Sequence, residues 1–182
     1  CALPIFYQQD VVEAVLAEQR NAANPAASAR AVKQLQAWVG REDWSTILPA
    51  FARCVRITRD QKTTFKVNEK AFVEAEEKDL FVAFQKTVNH QPSTVDELFE
   101  IVVKLTPSIN AFFDNVLVMA EDKKLQENRL GLLQQIAALS KGIADLSKLE
   151  GFESSRSFWM YNFRDALRNH WRHYGYLDHC IG

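Results

Sequence analysis

From Leu125 onward the apolar side chains fall at Leu125, Leu132, Ile136, Leu139, Ile143 and Leu146. Intervals of three and four residues, and sums of these, put side chains on one stripe of an α-helix, and no strand can keep such a set on one face. The same spacing recurs along the chain: Val11, Val12, Val15 and Leu16; Ala31, Val32, Leu35 and Trp38; Ile47, Phe51, Val55 and Thr58; Val95, Leu98, Phe99, Val102 and Leu105. Nowhere does a two-residue alternation compete with it. A chain so patterned folds as an all-α, up-and-down helical bundle.

Local signals punctuate these helices. Asp10 is a possible N-cap for the first, which the spacing predicts over 10 to 23. Asn24 and Pro25 have the N-cap and first-turn character that opens the next, and Gly40 closes it. With Thr46 as N-cap, Pro49 falls in a first turn, where its missing N–H leaves no internal bond unmade. Residues 60 to 68 form a polar link, after which Phe72, Leu80, Phe81, Phe84 and Val88 indicate one or two helices. Thr94 and Glu97 have capping-box spacing, Thr106 and Pro107 predict a stop, and Pro107 then opens a short helix through Ile109, Phe112, Phe113 and Val116. The last helix of this set is expected to span about 123 to 149.

The chain of 182 residues is long enough to bury a sizeable core, and 47% hydrophobic and 25% charged residues with only six Gly suit a globular chain. No apolar run reaches the roughly 18 to 20 residues of a membrane span, and no signal-peptide pattern opens the chain, so a cytoplasmic location is expected. Cys1 in the place of an initiator Met points to a piece cut from a longer protein. Cys1, Cys54 and Cys180 form no even disulfide set and are expected as thiols. The formal net charge of −1 gives no global attraction to phosphate, so any contact with nucleic acid has to be local.

Three divisions emerge: a helical lead-in at 1–42, a bundle at 43–150, and an extension at 151–182 that is rich in aromatic residues and arginine. In the extension Met160, Phe163, Leu167, Trp171 and Tyr174 keep a helical stripe. His170, His173, His179 and Cys180 match no common zinc spacing, and ordinary packing is the favoured reading over a metal site. The nucleotide-binding and hydrolase motifs built on Gly-rich loops or on H-E-x-x-H are absent. No catalytic residue, cofactor or metal is assigned.

Two charge patterns stand out. Arg53, Arg56, Arg59 and Lys62 recur every third residue and wind around their helix as a ridge that can follow a phosphate backbone; a solvated helix face explains them as well. Arg164, Arg168 and Arg172 make a second row with the same two readings. Arg129, by contrast, sits between Leu125 and Leu132 on the apolar stripe, where a guanidinium needs a partner. Asp114, after Phe112 and Phe113, is the expected partner in a structural brace, with Asn115 and Asn128 satisfying backbone groups at the turn.

The segments AFFDNVLVMAED at 111–122, ENRLGLL at 127–133, IADLSKL at 143–149 and FARCVRI at 51–57 give residues 43 to 149 a resemblance to a known family. They resemble the C-terminal region of the β subunit of bacterial two-subunit glycyl-tRNA synthetase, a helical anticodon-binding domain of the DALR type. Residues 10 to 42 look like the helical lead-in. Pro49 and the extension beyond 150 depart from the family pattern. The resemblance implies binding of the anticodon arm of tRNA-Gly, in support of glycine ligation whose active site lies on the α subunit, with no chemistry in this piece. Arg53, Arg56, Arg59 and Lys62, followed by Lys123 and Lys124, are then the candidate phosphate contacts. The competing readings are a helical protein–protein module with the extension as docking surface, and the anticodon domain of another synthetase such as the arginyl enzyme.

Overall fold

The computed structural model describes residues 7–153. These are helical, with no strand among the described residues: α1 (Gln9–Leu16), the single turn α2 (Gln19–Ala22), α3 (Pro25–Val39), α4 (Trp44–Thr58), α5 (Ala75–Thr87), α6 (Val95–Asn115) and α7 (Lys123–Ala137). Short 3-10 turns occupy Glu69–Ala71, Ala138–Ser140 and Leu146–Lys148. Residues 7 to 152 make one compact unit, and the described part of the lead-in belongs to it. The helical row proposed through Met160 and Tyr174, His170, His173, His179, Cys180 and the arginines at 164, 168 and 172 lie outside the described residues.

The longest helix, α6, runs along the core. Its stripe of Val95, Leu98, Phe99, Val102, Leu105, Ile109 and Phe112 is buried, and α3, α4 and α5 pack against it. Phe99 meets Trp38 and Trp44 at ring-centroid distances of 5.4 and 5.0 Å. Asp96 joins α6 to α3 by accepting from the Trp38 indole N–H at 2.8 Å. α7 lies across α4 and buries Leu132, Leu133 and Ile136.

Several caps follow the sequence signals. Asn24 accepts from Ala27 N–H, Thr94 from Glu97 N–H, and Gly40 ends α3. Asp10 is the second residue of α1 instead of its cap, and its carboxylate accepts from the Glu150 N–H at 2.9 Å, tying the helix to the end of the unit.

Three boundaries depart from expectation. Pro107 neither stops nor starts a helix, because α6 passes straight through it. An interior proline costs about 3 kcal/mol. Leu105, Ile109 and Phe112 are all fully buried on the two sides of it, at about 1.5 to 3 kcal/mol each, so continuity wins. Pro49 lies in the second turn of α4, since the helix begins at Trp44 rather than after Thr46. α7 ends at Ala137, and the apolar residues after it are buried by a folded-back chain: Gly142 adopts φ +79°, and Asp145 N–H donates to the Ala14 carbonyl at 2.8 Å. Asn21 anchors the same turn through the Ile143 carbonyl at 2.7 Å.

Candidate functional site

The cations of α4 do not form one solvent-facing ridge. The face opposite Ile47 and Phe51 is itself covered, so Arg53 is largely buried, with 14% of its side chain exposed. Its guanidinium lies 4.5 Å over the Phe113 ring, donates to Asn110 Oδ1 at 3.3 Å and stands 3.6 Å from an Asp114 carboxylate oxygen. Burial draws its pKa down and Asp114 pulls it back up. Arg56 is half-buried and donates to the Phe152 carbonyl beside the Phe152 ring. Both side chains thus fix α4 against its neighbours. The helix ends at Thr58, whose hydroxyl turns back to the Cys54 carbonyl at 2.7 Å, which places Arg59 exposed at the C-cap and Lys62 exposed in a non-helical segment.

Arg129 is buried, 4% exposed, but its partner is not Asp114. Arg129 Nε is bonded to the carboxylate of Glu77 at the start of α5, and its NH1 donates to the Leu117 carbonyl at 2.8 Å. Glu77 is fully buried, and its second oxygen accepts from the N–H groups of Val73 and Glu74 at 2.7 and 3.2 Å. The brace therefore corrects to Glu77 with Arg129. The expected pair fails because each residue turns an α-helix by about 100°. With Phe112 at the core, Phe113 is only half-buried and Asp114 comes out at the rim, with 62% of its side chain exposed, facing Arg53. Glu77 lies 52 residues from Arg129. Its only sequence signal is its position three residues after Glu74, with which it completes a capping box.

The two asparagines also separate. Asn115 donates to the Ala111 carbonyl within its own helix. Asn128 instead clamps the segment leading to α5, accepting from Asn68 N–H at 2.7 Å and donating to Asn68 O at 3.1 Å. Six residues further along, Gln134 does the same, taking Phe65 N–H at 2.9 Å and giving to Thr63 O at 2.8 Å. Residues 63 to 68 therefore run antiparallel to α7. Six helical residues and three extended ones both span about 9 to 10 Å, so the two clamps match in length.

Lys123 and Lys124 are exposed on the first turn of α7, where Asp122 caps by accepting from Lys124 N–H at 2.8 Å. Lys62, beside the Gln134 clamp, stands at the other end of the helix, about 15 Å away along its axis. The exposed candidates Lys62, Lys123 and Lys124 are thus spread along α7, with Arg59 at the end of α4, rather than gathered in one cluster. No group of three or more His, Cys, Asp or Glu side chains placed to hold a metal occurs among the described residues, and none of their helices is long and apolar enough to cross a membrane.

Comparison with known proteins gives a consistent result. The family model of the DALR anticodon binding domain matches residues 47–147. Glycine–tRNA ligase, chloroplastic/mitochondrial 2, of Arabidopsis thaliana is 35% identical over 147 residues, which cover 79% of this chain and 14% of that protein. The glycine–tRNA ligase beta subunit of Myxococcus xanthus is 35% identical over 156 residues, covering 79% and 21%. That of Thermodesulfovibrio yellowstonii is 38% identical over 114 residues, covering 60% and 17%. The chain spans about a fifth or less of the length of these relatives.

Proposed function

Because the chain belongs to the family of DALR anticodon-binding domains, we propose that it grips the anticodon arm of tRNA-Gly as part of a cytoplasmic glycine–tRNA ligase β subunit. The observation that carries this reading is the family match over 47–147, which coincides with α4 to α7 and the folded-back turn that closes them. In the assembled enzyme the α subunit supplies the site of glycine activation and transfer, and this module contributes binding. The protein partners are then the rest of the β chain and the α subunit.

Binding divides into two parts. Cations neutralise backbone phosphates, and unstacked loop bases are read on their edges or stacked on flat side chains. Arg59, Lys62, Lys123 and Lys124, all exposed, are the phosphate contacts. Arg53 and Arg56 act indirectly, by holding α4 to α6 and to Phe152. The Glu77–Arg129 brace is likewise architectural.

The test is a titration of the 182-residue chain with the tRNA-Gly anticodon stem-loop, beside a stem-loop with its middle anticodon base changed, at low and moderate salt. Tighter binding of the cognate loop is expected. Equal, salt-sensitive affinity for both would remove base readout from the proposal, and no binding to either at low salt would overturn it for this chain.

A further inference from the structure

The segment clamped by Asn128 and Gln134 has an outer face that the described fold leaves unused. Between residues 61 and 70 it carries Lys62, Lys66 and Lys70 against one carboxylate, Glu69. Extended backbone alternates its sides, and Phe65 and Val67 are half-buried toward α7 while Lys62, Thr64, Lys66 and Asn68 are exposed. The three lysines form no ion pair among the described residues. With residues 62 to 66 extended, Lys62 and Lys66 stand about 13 Å apart along the backbone, and Lys70 follows in the 3-10 turn Glu69–Ala71, so the three make a line rather than a cluster. A line of ammonium groups suits a stretched polyanion better than a single phosphate.

Beside this line is an open cleft of about 480 Å³, walled by Phe65 and Lys66 on one side and by Gln134 and Gln135 of α7 on the other, with Gly131 between. The size falls within the range of small-ligand sites, about 300 to 1,000 Å³. Gly131 is what lets the two walls approach: a Cβ there would meet the Phe65 carbonyl oxygen at 3.0 Å. Gln134 has both ends of its amide committed to Phe65 and Thr63. Gln135 is exposed and its side-chain amide makes no hydrogen bond among the described residues, which leaves a donor and an acceptor side by side at the mouth.

We propose that residues 62 to 70 and the adjoining face of α7 form a single-stranded RNA track, in which Lys62, Lys66 and Lys70 follow the phosphates and one base enters the cleft against Phe65 and Gln135. A basic path beside an aromatic platform is the general means of holding an unpaired strand. The inference rests on the tRNA-binding reading and gives it a strand-binding surface on the connection between α4 and α5.

The test compares the anticodon stem-loop of tRNA-Gly with its stem alone as a blunt duplex, across a salt series. Lys66→Ala and Lys70→Ala, at exposed positions, are each expected to flatten the dependence of log affinity on log salt by about 0.7 for the loop, whereas Lys33→Ala on α3 leaves it unchanged. Phe65→Leu and Gln135→Ala are expected to weaken the loop complex, Phe65→Leu by about fivefold or more, with duplex affinity unaltered. If the wild type binds the loop and all four variants match it, the track is wrong and the tRNA-binding reading stands. If the wild type binds neither RNA at low salt, that reading falls and the track with it. Circular dichroism melting of Phe65→Leu separates lost stacking from lost folding, and the lysine variants decide the matter if that variant unfolds.

Discussion

Arg129→Ala removes a side chain that serves two acceptors at once, the fully buried Glu77 carboxylate and the half-buried Leu117 carbonyl. Glu77 keeps the Val73 and Glu74 N–H groups but loses its counter-charge in a site with no solvent exposure. Breaking a buried ion pair from one side costs about 3 to 5 kcal/mol, a range that includes stranding the remaining charge. The Leu117 carbonyl also loses its 2.8 Å donor, but water can reach the exposed link and recover part of that bond, so the pair sets the scale. For a unit of this size, 3 to 5 kcal/mol lowers the melting temperature by roughly 6 to 20 °C. Urea titration followed by circular dichroism gives the free energy, and an unchanged slope confirms that the same surface is exposed on unfolding. A double-mutant cycle isolates the pair: Glu77→Leu with Arg129→Met is expected to be less destabilised than the sum of its single variants, because the second change removes a charge that the first has stranded. A variant Arg129→Ala melting within about 1 °C of wild type would refute the reasoning, since no buried, uncompensated carboxylate would cost so little.

Three further outcomes follow from local geometry. Gly131→Ala gains about 1 kcal/mol of helix propensity but presses on backbone that two clamps hold in place, at about 1 to 3 kcal/mol, so a net loss is expected in thermal melting and a gain would show the segment to be free to move. Cys54 is fully buried, which pushes its thiol up to about 12, so in a Cys1→Ser/Cys180→Ser background no labelling by a thiol reagent is expected at pH 8 until denaturant is added. Glu97 accepts from the Ser93 N–H and hydroxyl at 2.8 and 3.0 Å, and these bonds lower its pKa below 4.5. A folded-state pKa below the unfolded value means that its contribution is present above pH 4.5 and is lost as pH falls through the folded value; a carboxyl titration by NMR with a midpoint at or above 4.5 would contradict this.

The elements were legible wherever apolar periodicity and a cap agreed. Asn24 with Pro25, Gly40, and Thr94 with Glu97 mark real helix ends because each acts through neighbouring backbone. The misplaced boundaries depend on contacts from far along the chain. Pro107 reads as a stop until the burial of α6 on both sides of it is counted, and Leu139, Ile143 and Leu146 keep a helical rhythm although a turn at Gly142, fastened to Ala14 and Asn21, is what buries them. At the candidate site, the burial of Arg129 follows from its position on a stripe, whereas the identity of Glu77 does not, since its role depends on how α5 docks. The lysines at 62, 66 and 70 keep a four-residue spacing that would suit a helix face, and only the clamping of residues 63 to 68 by Asn128 and Gln134 shows that Lys62 and Lys66 flank a non-helical stretch, with Lys70 in the 3-10 turn after it.

The Glu77–Arg129 pair also sets which parts of the molecule can open separately. It joins the backbone ahead of α5 at Val73 and Glu74, the link at Leu117 and the body of α7, three stretches that share no local sequence. Releasing any one of them leaves a charge or a carbonyl of the other two without its partner. In amide hydrogen exchange the Val73 and Glu74 protons, although they belong to a connecting segment, would therefore be protected to the level of α7 and exchange with it as one cooperative block.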